Sequence, residues 1–208
     1  MKNKVLFVVF LIATHATVVL GQTGIEQYYY WEEEKPITLV PIIHVQGARS
    51  WYGEARYNYE ELGTFSLYAG RNFSKEYKRF SYSLTPIAGA VVGKLKGGSF
   101  GLNATLEFGD LFFSSQSQYT FCPSTNSENF LFSWAEVGYE PIKWFYFGFS
   151  VQHTYYSRQD VTVLQHGGMI GFTAGRWSFP VYGFNLLDAS RYFVLGINLG
   201  LGAKNSDN

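Results

Sequence analysis

The segment Gly98–Phe121, GSFGLNATLEFGDLFFSSQSQYTF, decides the fold class of this chain. Its first half alternates strictly between apolar and polar residues. The apolar set is Phe100, Leu102, Ala104, Leu106 and Phe108, and the intervening set is Ser99, Gly101, Asn103, Thr105 and Glu107. A period of two places successive side chains on opposite faces of a β-strand. The segment therefore predicts a strand that lies between two different environments.

The centre of the same segment carries a turn signal. Glycine begins the two-residue step Gly109–Asp110, and glycine in the first position of such a loop favours a type II′ turn. A hairpin closed at this point pairs Leu106 with Phe113 and Asn103 with Gln116. Apolar residues then face apolar residues across the two strands, and polar residues face polar ones. We therefore predict a two-stranded hairpin with one apolar and one polar face.

The composition favours a chain that contacts lipid. The 208 residues carry a formal net charge of zero, only 15% charged residues and 19% aromatic residues. The absence of a basic excess argues against nucleic acid as a partner. Soluble domains usually contain about 25% charged residues. Few charges and many aromatic residues at a mean hydropathy of -0.05 fit alternating strands with one face toward a membrane.

The first residues predict export. Lys2 and Lys4 precede the apolar run 5–13, VLFVVFLIA, which has the length of a signal-peptide core. We therefore expect a signal peptide at 1–21, a periplasmic N-terminal segment at 22–36 and a barrel at 37–208. The single cysteine, Cys122, excludes an internal disulfide and a cysteine-based metal cluster.

Nearly every stretch after Ile37 alternates like a β-strand. Taking 37–60 as one strand gives about ten strands, and merging neighbouring segments gives about eight as the alternative. The connections near 74–79, 109–110, 141–143 and 175–176 are mostly short. The connections that alternate with them include the three longest later loops, 122–128, 158–163 and 186–190. Outer-membrane barrels have short periplasmic turns, longer outer loops and an even strand count. The pattern predicts an all-β, transmembrane, up-and-down antiparallel β-barrel with both termini in the periplasm.

A soluble β-sandwich is the alternative fold. It would point the apolar set into a core, whereas a membrane barrel points that set at lipid. Strands of about ten residues match the membrane, and aromatic residues are frequent near the predicted strand ends. Ser115 and Ser117 are exceptions, because they fall on the predicted apolar face.

Several of these strands together resemble a known class of protein. The segments WYGEARYNYEELGTFSLYAGRNF (51–73), GLNATLEF (101–108), FFSSQSQYTF (112–121) and RYFVLGINLGLG (191–202) resemble small porin-like outer-membrane β-barrels of Gram-negative bacteria. The resemblance implies the barrel fold and an outer-membrane location. It implies no chemical motif.

The face opposite the lipid is predicted to line the lumen. Its candidate residues are Glu54, Arg56, Asn58, Asn103, Gln116, Gln118, Glu136, Gln152 and Asn198. They form either a path for a small solute or a satisfied polar core that plugs a narrow barrel. A structural or porin-like function follows from both interpretations.

Two other functions remain open at this point. A lipid-modifying enzyme could use a rim site of His153, Ser157, Asp160 and His166, and a binding barrel could use its outer loops, especially 122–128. The spacing of the rim residues matches no catalytic motif, and no metal or nucleotide motif is present in the sequence. We therefore predict no catalytic residue, cofactor or metal, and expect the bilayer, the assembly machinery and a small solute as partners.

Overall fold

A computed structural model describes residues 22–123 and 128–201 of the chain. The described residues form antiparallel strands joined in chain order. The strands are β1 (Gln22–Glu32), β2 (Thr38–Gln46), β3 (Trp51–Tyr57), β4 (Thr64–Arg71), β5 (Phe73–Glu76), β6 (Phe80–Gly93), β7 (Gly97–Phe108), β8 (Leu111–Phe121), β9 (Phe130–Ile142), β10 (Phe145–Tyr156), β11 (Val161–Ala174), β12 (Trp177–Phe184) and β13 (Tyr192–Gly200). A short 3₁₀ turn, Ala48–Ser50, connects β2 to β3.

The sheet closes into a barrel because its first and last strands pair. β1 runs antiparallel to β13 from the Gly24–Gly200 pair to the Glu32–Tyr192 pair. β4 and β5 both pair with β6 and are separated only at Asn72, so they are two segments of one strand. The described barrel therefore has 12 strands, built from 13 segments. The predicted class, an antiparallel up-and-down barrel, is confirmed, whereas the strand counts of ten and eight are wrong.

Both extra strands come from the N-terminal part of the chain. The stretch read as one strand from Ile37 divides into β2 and β3 at the turn 47–50, where Arg49 and Ser50 take positive φ values of 57° and 62°. The segment 22–36, expected outside the barrel, supplies β1 and the turn into β2. The predicted signal peptide at 1–21 lies outside the described residues.

The two faces of the hairpin have the predicted environments. Phe100 and Leu102 lie on the outer surface, 56% and 42% exposed, while Ser99 and Gln118 are buried inside the barrel. Gly109 takes a φ of 59°, which a glycine adopts without steric cost, at the start of the two-residue turn. The apolar residues therefore face outward, opposite to the arrangement in a soluble barrel.

Two serines on this outer face satisfy their hydroxyl groups locally. The Ser115 and Ser117 hydroxyls are 3.2 Å apart, and Ser117 lies 2.7 Å from the Ser133 hydroxyl on β9. A polar group facing lipid is costly without a hydrogen bond, and this contact between strands supplies one. The outer face therefore accommodates the two exceptions to its apolar pattern.

The two ends of the barrel differ. The turn end carries both chain ends of the described barrel and the connections 47–50, 77–79, 109–110, 143–144 and 175–176. The loop end carries 33–37, 58–63, 94–96, 122–123, 128–129, 157–160 and 185–191. Exposed aromatic side chains occur near both ends, including Trp51 and Trp177 near the turn end and Trp31 and Phe121 near the loop end. Such girdles are typical of barrels in a membrane.

Pro180 makes β12 locally irregular, as predicted. It has no N–H to donate, and the pairing of β12 with β13 is interrupted between the Ser178–Asn198 and Val181–Leu195 pairs without a change of register. Within the described ranges, no helix is long and apolar enough to cross a membrane.

Candidate functional site

The interior of the barrel contains two groups of side chains. Within each group, residues from non-adjacent strands contact one another across the lumen. The charged cluster consists of Glu54, Arg56, Glu60 and Gln118. The aromatic cluster consists of Tyr28, Val40, Ile42, Trp134, Met169, Tyr182, Phe184, Tyr192 and Val194. Both groups project from inward-facing strand positions or from a loop folded inward.

The charged cluster is centred on a buried arginine. Arg56 on β3 is 1% exposed and forms an ion pair with Glu54 on the same strand. Its Nη1 donates to Gln118 Oε1 on β8 at 2.6 Å and lies 3.6 Å from Glu60 Oε1. Since β3 and β8 are not neighbours in the sheet, the Arg56–Gln118 bond spans the lumen. A buried arginine is tolerated only with such partners, because its unpaired charge would be expensive.

A loop at the loop end folds into the barrel and narrows it. The connection 58–63 brings the Glu60 carboxylate inward, where it accepts hydrogen bonds from Tyr68 at 2.8 Å and Gln118 at 3.3 Å. Tyr59 of the same loop donates to Gln116 Oε1 on β8 at 2.7 Å. The Tyr59 ring also lies 4.3 Å from the Arg56 guanidinium carbon, in a cation–π contact. The loop therefore joins β3 to the opposite wall.

The aromatic cluster fills the other side of the lumen. Trp134 on β9 packs against Tyr28 on β1 and Tyr182 on β12, with ring centroids 5.5 Å and 5.2 Å apart. Its indole N–H donates to the Ser150 hydroxyl at 2.7 Å. Contacts between β9 and both β1 and β12 again span the lumen. Large rings on inward positions therefore occupy space that an open pore would leave to water.

Cavities remain on both sides of these contacts. The loop-end vestibule, about 710 Å³, is lined by residues that include Tyr59, Glu60 and Phe132. The mid-barrel cavity, about 230 Å³, is lined by residues that include Gln116 and Trp134. The hydrogen bond from Tyr59 to Gln116 therefore lies between these two spaces.

Two further spaces open near the turn end. The turn-end vestibule has a volume of about 550 Å³ and includes Glu107 and Glu140 in its lining. It shares Glu136 and Asn198 with the mid-barrel cavity, so the two adjoin. A second space of about 400 Å³ lies beside Asn72 and Glu107.

The structure places the residues predicted to line the lumen at several depths. Glu54, Arg56 and Gln118 belong to the charged cluster, and Gln116 accepts the bond from Tyr59. Asn103 donates to Glu54 at 3.3 Å. Glu136 and Asn198 line the mid-barrel cavity, and Gln152 accepts a 3.1 Å bond from Tyr192 in the aromatic cluster.

Asn58 has a different position from the others. It lies in the loop 58–63 with a φ of 60°, where its side chain donates to the Leu39 carbonyl and accepts from the Gly63 amide. Asparagine tolerates this left-handed conformation and caps such turns with its amide. It therefore shapes the loop that carries Tyr59 and Glu60 inward.

Sequence reasoning missed three of the interior groups. Glu60 continues the polar series of Glu54, but it lies beyond β3, and only the folded loop brings it to Arg56. In the sequence, Tyr59 is indistinguishable from the aromatic residues near strand ends that are expected at the membrane interface. Glu26 lies on β1, whose alternation is hidden by tyrosines on both faces. The contacts that Tyr59 and Glu60 make across the lumen, with Gln116 and Gln118, join residues 57 and 58 positions apart in sequence.

Two of the rim residues proposed for catalysis, Ser157 and Asp160, bond to separate partners. Ser157 donates to the Asn129 carbonyl at 3.0 Å, and Asp160 accepts from Tyr155 at 3.0 Å. His153 pairs with Ser133 on the neighbouring strand, on the outer, apolar side of β10. These contacts do not assemble a nucleophile, a base and an acid. In residues 22–123 and 128–201 no three His, Cys, Asp or Glu side chains form a group that could hold a metal ion.

Comparison with known proteins identifies the fold. No protein-family model and no curated protein sequence matches the chain. Its structure is similar to that of the KdgM porin, with a TM-score of 0.59, 11% identity, and coverage of 85% of this chain and 98% of that one. A KdgM porin in complex with disordered oligogalacturonate matches equally well. The NanC porin matches with a TM-score of 0.55 and 9% identity over 88% of this chain and 100% of that one. The chain therefore has the fold of a porin-like outer-membrane β-barrel.

Proposed function

We propose that this protein is an outer-membrane barrel that passes small hydrophilic solutes through a lumen narrowed by side chains. The observation that carries the proposal is the inside-out distribution of residues. Arg56 and Glu54 are buried inside the barrel, while Phe100 and Phe149 are exposed outside. Water cannot favour this arrangement, but a bilayer does, since it accepts the apolar surface and the closed sheet leaves no unpaired backbone edge.

The same distribution supports a location and an orientation. We place the turn end, with its short connections, in the periplasm and the loop end outside the cell. Export by the predicted signal peptide at 1–21 and insertion by the barrel-assembly machinery belong to this proposal. The fold of the KdgM and NanC porins is consistent with a transport role without covalent chemistry.

The size of the solute follows from the interior contacts. Between the loop-end vestibule and the mid-barrel cavity, Tyr59 bonds to Gln116, and Arg56 bonds to Gln118. These bonds leave no wide aqueous channel of the kind found in larger porins. The complex of the KdgM porin with oligogalacturonate concerns a chain-like solute, whereas we expect this barrel to admit only small ones.

Planar-bilayer recording tests the proposal. We expect small single-channel steps for the unchanged protein and larger steps for Tyr59→Ala, which removes the hydroxyl that bonds to β8 and the ring that packs on Phe132 of β9. The matched control is Tyr57→Ala, since Tyr57 lies two positions earlier and is exposed on the outer face. Absence of current from the unchanged protein and from Tyr59→Ala, with both correctly folded, would show that the barrel is not a channel.

A further inference from the structure

The mid-barrel cavity offers a bound molecule mainly hydrogen-bond acceptors. Its lining includes Glu26 and Glu136 as well as Asn103 and Asn198. Three of the hydroxyl and indole donors nearby are already engaged. Tyr28 donates to Glu26 at 2.9 Å, Ser114 donates to Glu136 at 3.2 Å and Trp134 donates to Ser150. Thr105 and Gln116 supply neutral polar groups.

Two oxygen atoms of this lining have no partner. The Oδ1 atoms of Asn103 and Asn198 are buried, and neither accepts a hydrogen bond from a described residue. The Asn103 amide nitrogen is directed to Glu54, which fixes the orientation of that side chain. Buried carbonyl oxygens normally have a donor, and leaving them without one costs free energy. At these two positions the cavity lining therefore presents acceptor oxygens that no donor of the described residues satisfies.

The remaining unpartnered groups lie elsewhere. Among described side chains, the other buried atoms without a hydrogen bond are Arg56 Nη2 and Gln152 Nε2. Both are donors, and neither residue lines this cavity. The unpartnered buried atoms of this cavity are thus both acceptors. The lining also carries two carboxylates, of which Glu26 lies 3.4 Å from His44 Nδ1.

An aromatic wall completes the cavity. Tyr28 and Trp134 both line it, with their ring centroids 5.5 Å apart. Aromatic faces attract cations, and tryptophan does so most strongly. The approach from the turn end is also acidic, because Glu107, Asp110 and Glu140 line the adjoining vestibule beside a single Lys143. Such a funnel raises the local concentration of cations.

We propose that the mid-barrel cavity binds a small organic cation that carries an ammonium or guanidinium group. This inference rests on the proposed function, since it names the solute class of the same lumen. An N–H-rich cation donates to Glu26, Glu136 and the two asparagine oxygens while it lies against Trp134. A sugar acid would bring its carboxylate toward Glu26 and Glu136, where like charges repel. A metal ion lacks the required set of ligands among the described residues.

Isothermal titration of the full-length protein in detergent micelles tests the site. Methylguanidinium chloride is the cationic probe and sodium galacturonate is the anionic one. We expect saturable binding of methylguanidinium and none of galacturonate. Glu136→Gln keeps the acceptor for Ser114 but removes the charge, and should weaken methylguanidinium binding roughly tenfold or more in Kd, because charge-assisted hydrogen bonds are the stronger ones.

The matched control makes the same chemical change outside the barrel. Glu34→Gln replaces an exposed glutamate in the turn 33–37 and should leave the Kd unchanged. Heat-modifiable gel mobility establishes that each variant is folded, and Glu26→Gln provides a second cavity variant. Absence of methylguanidinium binding to the unchanged protein, preference for galacturonate, or equal weakening by Glu34→Gln would overturn the proposal.

Conductance separates this inference from the proposed function. Bilayer steps without methylguanidinium binding would remove the cation site and leave the channel. Binding with the Glu136 dependence, but without current from the unchanged protein or Tyr59→Ala, would support the site and remove the proposed passage of solutes.

Discussion

Replacement of Leu102 by arginine tests whether the outer face contacts lipid. Leu102 is near the middle of β7, the strand Gly97–Phe108, and its side chain is 42% exposed on the outer surface. An arginine on the lipid face near the bilayer midplane costs about 2–4 kcal/mol in a transmembrane barrel. On a water-exposed surface the same change would alter stability by only about 0.5 kcal/mol. The two environments therefore predict effects that are readily distinguished.

Leu187 provides a matched control for this substitution. It lies in the connection 185–191 at the loop end, and its side chain is fully exposed at 101%. Leu187→Arg introduces the same side chain where we expect water. We therefore expect a change in the free energy of unfolding within about 0.5 kcal/mol. The difference between the two variants isolates the effect of position from the effect of the added charge.

Equilibrium unfolding in urea from lipid vesicles measures both variants. Tryptophan fluorescence follows the transition, and heat-modifiable mobility confirms the folded barrel. We expect Leu102→Arg to be about 2–4 kcal/mol less stable than the unchanged protein and Leu187→Arg to match it. Equal stability of Leu102→Arg and the unchanged protein would refute the lipid-facing assignment of β7 and favour a water-exposed barrel.

Two further predictions concern charges. Arg56→Met should destabilise the barrel by about 3–5 kcal/mol in the same urea assay, because Glu54 and Glu60 would remain buried without their cation; a loss below about 1 kcal/mol would contradict the buried network. Desolvation opposes a low pKa at Glu128, but hydrogen bonds from the amides of 158–159 outweigh it and lower the pKa of this loop carboxylate. A lowered pKa means that its stabilisation is present above the ordinary carboxylate pKa and is lost as the pH falls through the lowered value. Hydrogen exchange should therefore show better protection of 158–159 in the unchanged protein than in Glu128→Gln at pH 7, and this difference should diminish as the pH falls below the ordinary carboxylate pKa; a difference that does not change with pH would contradict the assignment.

The sequence predicted those parts of the barrel whose two faces differ in polarity. The hairpin of β7 and β8 has phenylalanine and leucine outside and serine, asparagine and glutamine inside, and its turn begins with Gly109. β13 follows the same rule in part, with Phe193 and Leu195 exposed outside and Asn198 in the lining of the mid-barrel cavity, although the inward Val194 is apolar. A period of two is then visible because it coincides with a change of polarity. The even parity of strands follows from the termini lying at the same end.

The sequence did not predict β1, because this strand has similar residues on both faces. In β1 the series Tyr28, Tyr29, Tyr30 and Trp31 alternates between inside and outside without any change in residue class. The break between β2 and β3 carries no proline, and its only glycine is Gly47. The contacts of the charged cluster were equally hidden, since Arg56 and Gln118 are 62 residues apart and meet only after the barrel closes.

The inward tyrosines and tryptophan that hide β1 and weaken the pattern in β9 also explain why the lumen is narrow. A barrel that holds an open channel needs inward positions that water can occupy, whereas Tyr28, Trp134 and Tyr182 fill theirs with rings packed in tilted and edge-to-face contacts. Their polar tips still require partners, and these are supplied by Glu26 for Tyr28 and by Ser150 for Trp134. Burying such rings therefore brings acceptors into the lumen with them. A strand whose inward face is aromatic thus indicates both a filled barrel and an acceptor-rich interior, which is the setting in which a cation finds hydrogen bonds and an anion does not.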